Sequence, residues 1–174
     1  MKALVAAIGF SILTASPLAA KVMTSTPTGF AVSTTLVVPT SPAETYDALT
    51  RPGLWWDTAH SYSGNAAAIT IDAVPGGCFC ETLPRGGFVE HARVVFAWPG
   101  KLLRLRGALG PLGGEGVDGA LSWELKASGS GTEIIQTYVV GGYLRFGMEK
   151  MAPMVSDMLE GQAARLKAYL DKKK

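Results

Sequence analysis

The chain is 174 residues long, 48% hydrophobic and 17% charged, with a formal net charge of +2 and two cysteines. That length holds one domain with a substantial core and is too short for two ordinary ones. A charge so near zero leaves no strong field for nucleic acid or an anionic membrane surface, and two cysteines do not make a disulfide framework.

Residues 1–20 resemble a secretory leader: Lys2, an apolar run over residues 3–15, then Ser16-Pro17-Leu18-Ala19-Ala20, with cleavage expected after Ala20. The run is too short for a spanning helix, and no Cys near the cut offers a lipid attachment site. Its removal leaves 154 residues with a charge of +1 and implies a periplasmic or secreted product with no stable membrane insertion. An uncleaved anchor is the alternative. Residues 21–28 read as a linker and residues 172–174, three lysines, as a solvated tail, which leaves one domain over residues 29–171.

Phe30, Val32, Thr34 and Leu36 alternate with Ala31, Ser33, Thr35 and Val37, the pattern of a first strand ending at Pro39. Ser41-Pro42-Ala43-Glu44 opens a short helix with a cap, a proline at the first helical position and an early acid. A second short helix or turn carries Leu54, Trp55, Trp56 and His60, and residues 68–74 form the next strand.

Residues 78–107 then read as three antiparallel strands, joined by Pro84-Arg85-Gly86-Gly87 and by Pro99-Gly100. A two-residue turn at Pro99-Gly100 sets Phe96 opposite Leu103, Val94 opposite Leu105 and Ala92 opposite Gly107. Alternation then collects Phe88, Ala92, Val94, Phe96, Leu103 and Leu105 on one face, and His91, Arg93, Val95, Arg104 and Arg106 on the other. A two- or four-residue loop in the first hairpin adds Phe79, Leu83, Glu81 and Glu90 to the apolar face and leaves Cys78 and Cys80 with His91 outside; a three-residue loop flips Glu81 relative to Glu90. On an extended strand the Cα atoms of Cys78 and Cys80 are about 7 Å apart, at or beyond the bridging limit, so free thiols are expected. Two acids on an apolar face suggest a wet or ligand-filled hollow, the alternative being that both reach solvent at the sheet edge.

Residues 107–119 hold six glycines and one proline and read as a mobile loop without a phosphate-binding fingerprint. Two strands come next, turned by Ser128-Gly129-Ser130-Gly131, with Leu125 by Ile134, Trp123 by Gln136 and Leu121 by Tyr138. From about Gly147 to Asp171, Met148, Met151, Val155, Met158, Leu159, Leu166 and Leu170 form the stripe of a long helix lying on the sheet.

This order, a strand, two short helices, an antiparallel sheet of about six to seven strands and a long final helix, resembles the START-like or SRPBCC superfamily. The likeness is carried by Ser41-Pro42-Ala43-Glu44-Thr45-Tyr46-Asp47-Ala48-Leu49, Trp55-Trp56, Gly76-Gly77, Gly131-Thr132-Glu133 and the final helix, and covers about residues 30–170. The runs Trp55-Trp56-Asp57, His60-Ser61-Tyr62-Ser63-Gly64, Gly76-Gly77-Cys78-Phe79-Cys80-Glu81 and Val89-Glu90-His91 are also similar to a bacterial branch of that superfamily. The resemblance implies an α+β helix-grip fold, a curved sheet around a long helix with a cavity between them. Members include lipid and hormone binders, polyketide cyclases and domains similar to a chaperone-ATPase activator, and no catalytic residue set carries over.

Three functions are expected on these grounds. The first is a carrier or sensor whose partner is a hydrophobic or aromatic small molecule or lipid. Its wall would be Phe79, Phe88, Phe96, Leu103, Leu105, Trp123 and Tyr138, with Met151, Met154, Val155 and Met158 from the helix. Trp55 and Trp56 either enter the cavity or brace the helix, and each of these residues taken singly equally suits a plain core. The second is a cyclase-, dehydratase- or isomerase-like enzyme with Glu81 and Glu90 as a coupled acid–base pair, assisted by His60. The third is a copper(I) or zinc site at Cys78, Cys80 and His91, opposed by the arginines on the same face; structural thiols covered by a loop, with no metal, are the preferred alternative. No cofactor motif is present, no nucleic-acid partner is expected, and the oligomeric state is open.

Overall fold

The computed structural model describes residues 20–173. The expected leader lies outside the described residues apart from Ala20. Eight strands form one antiparallel sheet: β1 (Ala20–Thr26), β2 (Gly29–Val38), β3 (Ile69–Ile71), β4 (Cys78–Thr82), β5 (Phe88–Trp98), β6 (Leu102–Arg106), β7 (Gly116–Ser128) and β8 (Gly131–Tyr143). Their order across the sheet is β1-β2-β8-β7-β6-β5-β4-β3. The helices are α1 (Pro42–Leu49) and α2 (Met148–Asp171), with single 3-10 turns at Pro52–Leu54, Thr58–His60, Ala66–Ala68 and Pro84–Gly86 and a longer one at Gly110–Gly114. This is the expected helix-grip arrangement with one strand more. The extra strand is β1, which replaces the linker expected over residues 21–28 and turns back on β2 through Pro27-Thr28.

Local chemistry accounts for the element ends. Ser41 caps α1: its hydroxyl accepts from the Glu44 amide at 3.3 Å while the Glu44 carboxylate accepts from the Ser41 amide at 3.0 Å. Trp55 comes shortly after Pro52 and donates its indole N–H to the Ala48 carbonyl at 2.9 Å, so it braces the end of α1. At the other end of the chain, the stripe of α2 buries Met148, Val155, Leu159, Leu166 and Leu170. These pack chiefly across β1 and β2. Leu103, Leu105, Leu121, Trp123 and Ile134 fill the inner face of the sheet, each worth about 1.5–3 kcal/mol of burial.

The β7–β8 hairpin has the expected register, with Leu125 by Ile134, Trp123 by Gln136 and Leu121 by Tyr138. β5 departs from simple alternation twice. Against β4 the pairing steps from Phe79↔Ala92 to Cys80↔Glu90, leaving His91 as the extra residue of a bulge. Against β6 it steps from Val94↔Leu105 to Phe96↔Arg104, leaving Val95 as a second. Each bulge reverses the parity of the residues beyond it. Val94 opposite Leu105 is therefore as expected, whereas Phe96 is turned outward and is 42% exposed. The turn after β5 is correspondingly one residue longer than expected, with Trp98 opposite Leu102.

The glycine-rich segment is more ordered than a mobile loop. Leu109 and Leu112 are buried, Leu109 capping the 3-10 turn Gly110–Gly114 and Leu112 lying within it, and β7 begins already at Gly116. Gly107 lies where a side chain would run into Ala92 of β5. β3 has three residues, where residues 68–74 were expected to be extended.

Candidate functional site

Between the sheet and α2 lies a cavity of about 350 Å³, within the range of small-molecule sites. Its floor is Phe79 of β4, His91 of β5 and Tyr138 of β8. Leu109, Gly110, Pro111 and Leu112 close one side, Trp56, Ala59, His60, Ser61 and Tyr62 a second, and Met151, Met154, Val155 and Met158 of α2 form the roof. Met154 and Tyr62 are both mostly exposed, so they mark where the cavity meets solvent.

Two clamps hold these walls in place. The first joins α2 to the 56–60 segment. Gln162, fully buried, accepts from the Asp57 amide at 2.9 Å and approaches His60 Nδ1 at 3.3 Å, while Arg165 pairs with Asp57 at 2.8 Å. The Trp56 indole N–H donates to the His60 carbonyl at 3.0 Å. The second joins the glycine-rich turn to β8. The Tyr138 hydroxyl accepts from the Leu109 amide and donates to the Gly107 carbonyl, both at 3.0 Å. Burial pushes the Tyr138 hydroxyl up to about 12, so it stays a neutral donor.

The charged chemistry of the site is one pair. The Glu81 side chain is 0% exposed and the His91 side chain 8%, with Oε2 and Nε2 3.2 Å apart. The other Glu81 oxygen accepts from the Ser63 amide at 2.5 Å. Burial alone would raise the Glu81 carboxyl, but hydrogen bonds from Ser63, Tyr62 and His91 outweigh it and hold it below the ordinary carboxylate value. Burial lowers the His91 imidazole, and the nearby Glu81 only partly offsets that. At neutral pH the pair is a carboxylate and a neutral imidazole. Glu81, as an anion, can only accept, so His91 carries its proton on Nε2 and leaves Nδ1 as a lone-pair acceptor. The ring is held between Phe79, with centroids 5.1 Å apart, and Tyr62, stacked at 6.1 Å.

The expected site residues fall into three groups. Trp56, Phe79, Tyr138, Met151, Met154, Val155, Met158 and His60 line the cavity. Trp55, Leu103, Leu105 and Trp123 are buried core and do not line it. Phe88, 71% exposed, joins Phe96 on the outer side. Glu90 is also outside and forms an ion pair with Arg93, which holds its carboxyl below the ordinary range. The Glu81/Glu90 pair is therefore not present. The five-residue loop between Thr82 and Phe88 is odd in length and sets Glu81 opposite Val89, which turns Glu90 away.

The thiol expectation is also corrected. Cys78 and Cys80 form a disulfide, with Cα atoms 5.3 Å apart rather than the spacing of a fully extended strand. With His91 turned inward, Cys78, Cys80 and His91 do not converge on a metal, and among the described residues no cluster of three or more His, Cys, Asp or Glu does. His91, Leu109 and Leu112 as individual cavity residues, with Ala59, Ser61 and Tyr62 beside them, are what sequence reasoning missed, although the glycine-rich segment itself was expected to act as a lid. The three-residue spacing of Leu109 and Leu112 was the available signal for the wall; a bulge leaves no such mark for His91.

No protein-family model and no curated protein matches the sequence. Solved structures do resemble it. An uncharacterised protein from Rhizobium leguminosarum shares 15% identity at a TM-score of 0.63, over 90% of this chain and 99% of that one. CalU16 from Micromonospora echinospora shares 16% at 0.56, over 90% and 84%. The di-domain ARO/CYC StfQ of the steffimycin biosynthetic pathway shares 13% at 0.58, over 84% of this chain and 52% of that one. At these identities the likeness shows the fold alone, an antiparallel sheet wrapped around a long C-terminal helix.

Proposed function

We propose that this helix-grip protein binds one compact hydrophobic or aromatic molecule between sheet and helix and serves as its carrier or sensor outside the cytoplasm. The observation that carries the reading is the apolar cavity beneath α2. Its three methionines repack around different shapes at low cost. A volume of about 350 Å³ suits a ligand of one to three rings. The leader-like first twenty residues and the Cys78–Cys80 disulfide support an oxidising compartment. Among the described residues no helix is long and apolar enough to cross a membrane.

The test is native mass spectrometry of protein purified from its own host periplasm, followed by denaturation and identification of any released molecule, with calorimetric titration of naphthalene in parallel. A released apolar molecule or saturable naphthalene binding is expected. An empty protein that binds no naphthalene at a Kd below about 1 mM overturns the reading. The second reading, a cyclase- or isomerase-like enzyme, is favoured by the buried Glu81–His91 pair and by the ARO/CYC neighbour. With Glu90 outside, Glu81 and His91 are the groups on which proton transfer would rest.

A further inference from the structure

We infer that His91 selects the occupant of the cavity: with Nε2 held by Glu81, its Nδ1 accepts a hydrogen bond from a ligand O–H, so the site prefers a phenol or enol over an apolar molecule of the same shape. This rests on the cavity reading above and sharpens it from hydrophobic molecule to hydrophobic molecule with one acidic hydroxyl.

The geometry supplies each step. His91 lines the cavity, has its side chain only 8% exposed and has one ring nitrogen on Glu81. Among the described residues Nδ1 has no hydrogen-bond partner, so an acceptor is left free on a ring that forms part of the wall. Two other polar groups on the wall, the Tyr62 hydroxyl and His60 Nε2, also lack a partner among the described residues, but both side chains are about half exposed to solvent; the rest are engaged. The Tyr138 hydroxyl both donates and accepts, Ser61 Oγ donates to the Thr58 carbonyl at 2.8 Å, and His60 Nδ1 faces Gln162. A buried acceptor left without a donor loses its water and gains nothing, so an occupant lacking a donor is penalised relative to one that has it. The fixed tautomer matters here, because a ligand that only accepts meets a lone pair and is rejected. An anionic carboxylate behind the imidazole raises its appetite for a proton. That favours the more acidic hydroxyls, phenols and enols, over aliphatic alcohols.

The test compares 2-naphthol with 2-fluoronaphthalene, nearly equal in shape and differing in the donor, by calorimetric titration of the full protein at pH 7.5. Wild-type protein is expected to bind 2-naphthol about tenfold or more tightly than the fluoro compound. In Glu81→Gln/His91→Phe, with folding checked by circular dichroism, the ratio of the two affinities is expected to fall to within about threefold of unity. Because each ratio is internal to one protein, a general loss of affinity does not affect it. In Glu81→Gln alone the amide can donate to Nε2 and move the proton to Nδ1, and the preference is expected to shrink. Equal affinities in the wild type overturn the inference and leave the cavity reading intact. Binding of neither compound overturns both, and an undiminished preference in the double variant overturns the role of His91.

Discussion

Tyr138 joins the sheet to the wall of the cavity through a single hydroxyl. In Tyr138→Phe the Gly107 carbonyl and the Leu109 amide lose their partner in a buried place. A destabilisation of about 1–3 kcal/mol is expected in urea unfolding, together with looser binding as Leu109 and Leu112 come free. The folded hydroxyl titrates at about 12 against an ordinary 10, so its contribution is complete below pH 10 and is lost as pH rises from 10 through about 12. The Glu81–His91 pair acts at the opposite end of the scale. Both groups are lowered in the fold, so the unfolded chain binds more protons as pH falls. Stability is therefore expected to hold above pH 6.5, to decline below it as the unfolded histidine protonates first, and to decline further below pH 4.5 as the unfolded carboxyl does. Thermal melts between about pH 8 and pH 4 check this, and Glu81→Gln/His91→Phe should flatten that acid limb.

At the scale of the element, β5 decides what faces inward, and it does so with two surplus residues. The first bulge admits His91 to the cavity and the second returns Phe96 to solvent. Opposite the first lies the disulfide, where β4 spans only 5.3 Å between the Cα atoms of Cys78 and Cys80 while β5 carries the additional residue. Replacing both cysteines with serine is expected to cost about 1–2 kcal/mol in urea unfolding, because the loop they close is only about three residues long and little unfolded-state entropy is at stake. These same residues mark the limit of what the sequence reveals. The β7–β8 register is legible because Ser128-Gly129-Ser130-Gly131 makes a tight turn and alternation then runs unbroken from Ala127 to Leu121. In β5 the alternation of Ala92, Val94 and Phe96 looks equally regular, yet nothing in residue type shows that Val95 is surplus. The parity of Glu90 hangs on a loop whose length Pro84-Arg85-Gly86-Gly87 leaves undetermined. The disulfide escaped for a related reason, since the expected spacing assumed a fully extended strand.

Across the whole molecule the cavity is the space left where α2, seated on β1 and β2, stands away from β4, β5 and β8. The α2 stripe, the α1 cap and the order of the strands are legible in the sequence because periodicity and turn chemistry act locally. β1 is not, since Thr24, Ser25, Thr26 and Pro27 mask its alternation. A ligand held between the two layers binds only the folded chain, so at about a hundred times its Kd it should add about 2.7 kcal/mol and raise Tm by roughly 5–10 °C in a thermal-shift titration. The sheet itself does not close on itself, and this bears on how the molecule behaves at high concentration. One rim is β3, three residues long, so a neighbouring chain aligning there gains only a short ladder. The other is β1, interrupted at Met23 and carrying Lys21. Among the described residues neither rim is the long, flat, uncharged template on which strands of separate molecules stack, so pairing edge to edge would gain few ladder bonds at β3 and meet a break and a charge at β1.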